Sequence, residues 1–554
     1  MAHETLYNGI VLPSPWPPKR ETLPPDPMPV PYLDDPPGVI PIDVGRQLLV
    51  DDFLIAESTL TRTCHKPAWH PASPVVRPDR PWESGTPGKA RGRAAMPFSD
   101  GVWYDAADGL FKMWYYAGEM TTCHARSTDG IHWEKPSFDV APGTNVVMEH
   151  PGRRDSGTVW LDPEGPPAER LKMMWYDETV REHVIFLSPD GIHWERLTET
   201  GNAQDRTTFF HNPFRKKWCF SLRSTMFYHA ADDKWSYSID RPSGTEEDGP
   251  WTYKRIRRYA EGDDLASAAR SWPRLGDPDW RESEKGREMA MQPVLWVGAD
   301  RLDPPVPGSS YVTDLYHLDA VAYESIMVGL FSLHREPFPP LYPKRSDKIN
   351  MVGVGFSRDG FHWDRPFREP LLEMSDDPVA WNSSNMQSVG GCFLVVGDLL
   401  YIYCTGRGGS TNTKIMDFST GLATLRRDGF ASMDAGAEPG SLTTRPICFQ
   451  GSHLFVNLAA PDGHLTAEVL DREGQVIAPF TRENSIAVTG DSTSARVQWQ
   501  GAADLSELAG TPVRFRFHLQ SASLYAFWVS PDTSGASHGY VAAGGPGFSG
   551  QVDT

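Results

Sequence analysis

Three things are scarce in this 554-residue chain. The first is positive charge. Lysine and arginine number 53 against 72 aspartates and glutamates, a formal net charge of −19. No basic run interrupts the pattern, which excludes nucleic-acid binding through a cationic face. The second is long apolar sequence. No stretch approaches the ~18 consecutive apolar residues of a membrane span, so neither nucleic acid nor membrane is an expected partner. The start, Met1-Ala-His-Glu-Thr5, lacks the basic region and apolar run of a secretory signal and reads as cytoplasmic. A trimmed secreted protein would read the same. The third is cysteine. The six (Cys64, Cys123, Cys219, Cys392, Cys404 and Cys448) are scattered without a Cys-x-x-Cys, which fits reduced, buried thiols better than a disulfide frame or a zinc site. Helical periodicity is sparse too, with only 258–270 and 504–508 as helix candidates. No motif points to a cofactor or a catalytic metal. A structural calcium is the one ion this reading leaves room for.

Aromatic residues are plentiful: 19 Trp, 18 Tyr and 25 Phe. Several stand in a repeat, Ser-x-Asp-Gly-Ile/Phe-His-Trp, found at 127–133, 188–194 and 357–363. Asp-Gly is a strong hairpin signal, because glycine takes the positive φ of a tight turn. Asp129 and Asp190 are 61 residues apart, and so are Trp114 and Trp175 in the runs KMWY and KMMWY. Two features in one register indicate a duplicated multi-strand unit. Tyr237-Ser-Ile-Asp240 and Arg427-Asp-Gly-Phe430 read as degenerate further copies, making five units. Units of about 40–50 residues and four strands are propeller blades, and five lies within the usual range. Short aromatic and β-branched runs at 110–118, 171–177, 216–222, 326–333 and 399–406 read as a strand in each.

The expected fold is all-β: a five-bladed β-propeller followed by a β-sandwich domain. Residues 1–45 are proline-rich and read as an extended arm. The propeller, carrying any catalytic site, is assigned to 46–435, with 48–55 as its first clear strand. Seven short strands with turns at Pro461-Asp-Gly and Asp471-Arg-Glu-Gly assign 440–535 to the sandwich. The Gly/Ser-rich stretch 536–554 reads as a flexible tail.

In a propeller, the starts of the innermost strands converge on one central pocket. Asp155 and Asp205 each stand five residues ahead of an aromatic and are 50 apart, equivalent positions of adjacent blades. Paired carboxylates flanking a bond are what glycoside hydrolysis requires. The fourth blade opens with Asp314-Leu-Tyr-His317-Leu-Asp319 and runs on to Glu324. Glu324, in a semi-apolar strand, is expected to be the general acid, with Asp314 and Asp319 as alternatives. Arg93, Asp314, His317, Asp319, Asn385 and Gln387 are the expected substrate-binding residues. The aspartates and histidines of the repeat read as turn-formers, since copies in separate blades cannot enter one site.

These hairpins and Met-Trp-Tyr strands resemble the five-bladed propeller glycoside hydrolases of families 32, 43 and 68 that carry a C-terminal β-sandwich. The resemblance covers roughly residues 46–530. It implies a furanoside substrate, a fructoside or arabinoside, and an acid in blade one, for which Asp51, Asp52 and Glu83 are candidates. The chain departs from the family in having no Trp-x-Asn-Asp-Pro-Asn-Gly, no Arg-Asp-Pro (Arg154-Asp155-Ser156 is nearest) and no Glu-Cys. Rival readings are a sialidase, for which Arg91, Arg93 and Arg206 would have to converge, a sugar phosphorylase, which needs a basic phosphate pocket, and a non-catalytic carbohydrate-binding propeller.

Overall fold

A computed structural model describes residues 3–554 except 21–22, 85–91, 119, 151–153, 178–181, 230–233, 237–250, 273–292, 304–312, 336–348 and 409–416. Five antiparallel sheets stand around one axis. Their innermost strands are Ala95–Asp105, Arg154–Leu161, Thr208–Asn212, Asp314–Glu324 and Ser384–Gln387. Side chains stitch the ring shut. Trp103 of blade one donates to the Val159 carbonyl of blade two (2.9 Å), and Arg206 N–H of blade three to Ser156 Oγ of blade two (2.9 Å). Thr208 donates to the Leu318 carbonyl of blade four (2.6 Å), His317 meets Ser388 of blade five (2.9 Å), and Thr420 closes the circle on the Ala95 carbonyl (3.0 Å).

The second strand of each blade falls where the aromatic runs predicted it: Leu110–Ala117, Leu171–Asp177, Lys217–His229, Ile326–Arg335 and Leu399–Gly408. Trp114, Trp296, Trp363 and Tyr403 are fully buried. They fill the wedges between blades, where a large flat side chain covers much apolar area.

The repeat is scaffold. Each clear copy follows the third strand of its blade, and its aspartate caps the turn. Asp129 accepts from the Ile131 and His132 N–H groups (both 2.8 Å) and from His132 Nδ1 (2.7 Å). Asp190 and Asp359 repeat the pattern. The turn then docks on the preceding blade: Trp114 donates to the Gly191 carbonyl (2.8 Å), and Tyr403 to the Gly130 carbonyl (2.6 Å). The two degenerate copies differ. Residues 237–240 lie outside the described residues, and in chain order they fall before the third strand of blade three, Trp251–Gly262, not after it. Asp428 does follow a third strand, but its carboxylate turns away to Arg46 (3.0 Å), Tyr323 (2.6 Å) and Asn457 (2.9 Å).

A sixth, nine-stranded sheet holds most of the C-terminal strands together with Gln47–Leu48, Ile55–Ser58 and Thr61–Cys64. Thus the stretch 46–435 read as propeller contributes its first strands, and Ala431–Ala435, to the other sheet. The run 48–55 is not one strand: Asp51 accepts the Phe53 N–H (3.1 Å) and turns the chain. The strands of the expected sandwich are joined through one long strand, His453–Leu470, which pairs with Ala522–Ser530 along its first half and with Arg514–Gln520 along its second, with a register shift between Ala460 and Leu465 at the expected Pro461 turn. This sheet has its own apolar core, including Val456, Leu465, Phe515 and Phe527, into which Leu6, Ile10, Tyr32 and Ile40 of the proline-rich segment pack. The expected helix 258–270 divides between the end of strand Trp251–Gly262 and one short helix, Leu265–Ala269, capped by Asp264. No helix among the described residues is long and apolar enough to cross a membrane.

The tail is not loose. Tyr540–Val541 pairs with the end of blade four's inner strand, Ala543 bonds blades one and five through the Tyr104 N–H and the Phe393 carbonyl, and Gly544 accepts the Val395 N–H. Glycine permits this: a Cβ on Gly545 would lie 1.7 Å from the Val395 carbonyl oxygen.

Candidate functional site

Asp155 and Asp205 each precede by one residue the Ser156–Arg206 pair that joins blades two and three at 2.9 Å. The equivalence inferred from their 50-residue step is therefore spatial. Both are half-buried. The Asp155 carboxylate accepts from the Ser156 N–H (2.8 Å), and its carbonyl accepts from Arg154 Nε (2.9 Å). Asp205 is ion-paired with Arg223 of its own blade.

Beside them stands an acid the sequence reading missed. Asp100, on the inner strand of blade one, is buried and ion-paired with Arg154, the residue before Asp155. Burial pushes its carboxyl up to about 6, against the pull of Arg154. The backbone leading to it is unusual, with φ +49° at Phe98 and +70° at Ser99, a conformation that costs free energy in non-glycine residues and clusters at functional sites. The available signal was Ser99-Asp100-Gly101 in the middle of the first inner strand, one blade ahead of Asp155. The blade-one candidates chosen from sequence lie elsewhere. Asp51 is bidentate on Arg358 (both 2.8 Å), Asp52 pairs with Arg62 (2.5 Å), and Glu83 accepts from Tyr115 (2.8 Å) and Lys135 (2.6 Å).

Beneath the aspartates a buried network crosses the axis. Arg206 donates to His317 Nδ1 (2.9 Å) and to Ser99 Oγ (3.2 Å), with its guanidinium 4.1 Å from the Phe98 ring. His317 Nε2 meets Ser388 Oγ (2.9 Å) and Asp319 Oδ2 (3.2 Å). Because Nδ1 accepts from arginine, Nε2 carries the proton and points to Asp319. Burial and the Arg206 charge lower the His317 pKa to about 4, so the ring is neutral at pH 7. Burial would raise the Asp319 carboxyl, but His317 and Ser388 hold it below the usual range. Asp314 pairs with Arg255 (2.7 Å) and His334 (3.3 Å), which overcome its burial and hold it low as well. Asn385 lies 2.9 Å from both Gln387 and Arg407. Arg257, fully buried, donates to the Arg206 carbonyl (2.6 Å) and the Tyr316 carbonyl (3.2 Å).

No family model matches this chain, and no curated protein matches it. Solved structures are similar in fold. An N-acetylgalactosamine deacetylase from F. plautii is 12% identical, covering 64% of this chain and 97% of its own, with a TM-score of 0.36. A member of the GH130 family of mannoside phosphorylases, which contains glycoside hydrolases that target β-1,2-mannosidic linkages in Candida mannan, is 13% identical over 69% and 96%, with a TM-score of 0.39. An exo-β-1,3-galactanase from Phanerochaete chrysosporium is 9% identical over 84% and 99%, with a TM-score of 0.32. Similarity of this order bears on no residue of this chain. Its propeller stands on its own strand pairing.

Two expected site residues are elsewhere. Glu324 ends the strand that Asp314 begins, roughly 30 Å away at ~3.3 Å per residue. Its carboxylate is buried between Arg427 (3.0 Å), Arg46 (3.4 Å) and Ser537 (2.7 Å), at the seam with the nine-stranded sheet. Burial raises its pKa against Arg427 and Arg46. The raised pKa expected of a general acid is thus present, far from the aspartates. Arg93 is bidentate on Asp417 (2.6 and 2.9 Å) with its side chain more than half exposed. It does not join Arg206 at the axis, and Arg91 lies outside the described residues. Among the described residues no group of three or more His, Cys, Asp or Glu side chains is placed to hold a metal ion.

Proposed function

We propose that the chain is a glycoside-cleaving propeller enzyme that uses Asp155 and Asp205. The observation that supports this reading is the placement of two half-buried carboxylates at matched positions of adjacent blades, one residue either side of a 2.9 Å interblade bond. A glycosidic bond set across them meets the two groups its cleavage needs. Asp205, salt-bridged to Arg223, is the nucleophile or the base that activates water. Asp155, which spends one oxygen on a backbone N–H, transfers the proton to the leaving oxygen. Asp100 holds Arg154, and so the start of the blade-two strand, in place. The resemblance to furanoside-cleaving families makes fructosides and arabinosides the substrates to try first.

The guanidinium groups of Arg206, Arg223, Arg255 and Arg257, linked through Asp205, Asp314, His317 and the Arg206 carbonyl, favour a second reading, phosphorolysis, in which phosphate replaces water as the acceptor. Turnover of aryl furanosides by the wild type, Asp155→Asn and Asp205→Asn, each with and without phosphate, tests both. Either substitution is expected to cut kcat by about 10²–10⁴-fold. Unchanged turnover in both variants would end the assignment, and strict dependence on phosphate would select the second reading.

A further inference from the structure

The base of the propeller carries a second recess. Asp155 is the second residue of the strand whose far end, Leu161, lines it, roughly 20 Å away at ~3.3 Å per residue. The C-terminal tail forms one wall, and the ends of the inner strands of blades one and two form the other. Its volume is about 430 Å³, inside the range of about 300–1,000 Å³ typical of small-molecule sites. Two half-buried rings, Tyr104 and Phe548, flank it. Arg427 lies over one face of the Phe548 ring, 5.4 Å from its centroid. Arg170 spends two N–H groups on Asp105 (2.6 and 2.9 Å) out of the five that a guanidinium carries. The side-chain amide of Gln551 makes no hydrogen bond among the described residues.

We propose that this recess is a second, non-catalytic binding site for a neutral glycan segment. Aromatic faces take the C–H face of a sugar ring, while a fixed guanidinium and an unspent amide take its hydroxyls. The ligand is neutral because the wall is already charge-balanced: the two cations Arg170 and Lys112 are matched by two carboxylates, Asp105, which pairs with both, and Asp108, which pairs with Lys112 (2.7 Å). The choice of a glycan rests on the proposed function, the occupant being a further stretch of the polysaccharide cut at the centre. Binding at the base needs no catalysis, so the two ideas fail separately.

The probes are arabinan, levan, mannan and galactan, each cast in a native gel. At least one is expected to retard the wild type and Asp155→Asn alike. The double variant Phe548→Ala/Gln551→Ala should lose about tenfold in affinity for it, as should Gln551→Leu to a smaller degree. A melting curve overlaying that of the wild type shows the double variant folded; if it is not, Gln551→Leu decides. Equal retardation with and without the pocket substitutions, or no retardation of the wild type by any of the four, overturns the proposal. Loss of retardation in Asp155→Asn alone would place the binding in the central site and overturn it too.

Discussion

At the scale of single residues, the aspartates of this chain divide by what surrounds them. Asp129, Asp190 and Asp359 spend their oxygens on backbone N–H groups two and three residues on, which Asp-Gly spelled out in advance. Asp105 also accepts the N–H two residues on, from Ala107 (3.1 Å), but its charged partners could not be read that way, since Arg170 and Lys112 come from the next blade and the next strand. Burial would raise its carboxyl, but bonds from Arg170 and Lys112 hold it at about 2, below the ordinary 3.8. A carboxyl lowered in the folded state stabilises the fold above its unfolded pKa, and that contribution is lost as pH falls through the folded value. Asp105→Asn is therefore expected to remove part of the stability loss between about pH 4 and pH 2, read from urea midpoints across that window. An acid limb identical to the wild type would show that the pair does not titrate with folding.

Between elements, stability comes from turns docked on the neighbouring blade. Gly191 has φ +80°, and a Cβ there would lie 2.3 Å from the Trp114 ring. Gly191→Ala is thus expected to cost about 1–3 kcal/mol, measured by denaturant unfolding. A loss no larger than that of an exposed turn glycine would mean that the blades tolerate a shift. Strands were legible here because a second strand buried on both faces needs a near-continuous run of aromatic and aliphatic side chains whatever its partners. Their ends and their sheets were not. Residues 258–270 carry enough alanine and arginine to look helical, yet Trp251–Gly262 pairs along its whole length with the strand before it, and ladder bonds outweigh weak local propensity.

For the whole molecule, the two ends of the chain complete the propeller. Ala68–Trp69 adds the outer strand to blade five, pairing with Ala423 and Thr424. The tail adds Tyr540–Val541 to blade four and sets Ser537 and Asp553 against the buried Glu324–Arg427 pair. Deleting residues 537–554 leaves Glu324 short of one hydrogen bond and uncovers the base of the axis. The melting temperature is expected to fall by several degrees, on the order of 1–3 kcal/mol for a buried charged group left short of a partner; an unchanged melting temperature would make the tail an ornament. The repeat, its 61-residue step and the aromatic runs were enough to determine an all-β chain, five blades and the matched pair Asp155 and Asp205, because periodic packing demands periodic sequence. Asp100 beside Asp155, the burial of Glu324 at the seam, the nine-stranded sheet built from both ends and the recess under the tail were decided only by tertiary structure, because each depends on residues more than fifty positions apart meeting at one point, and no local pattern carries that distance.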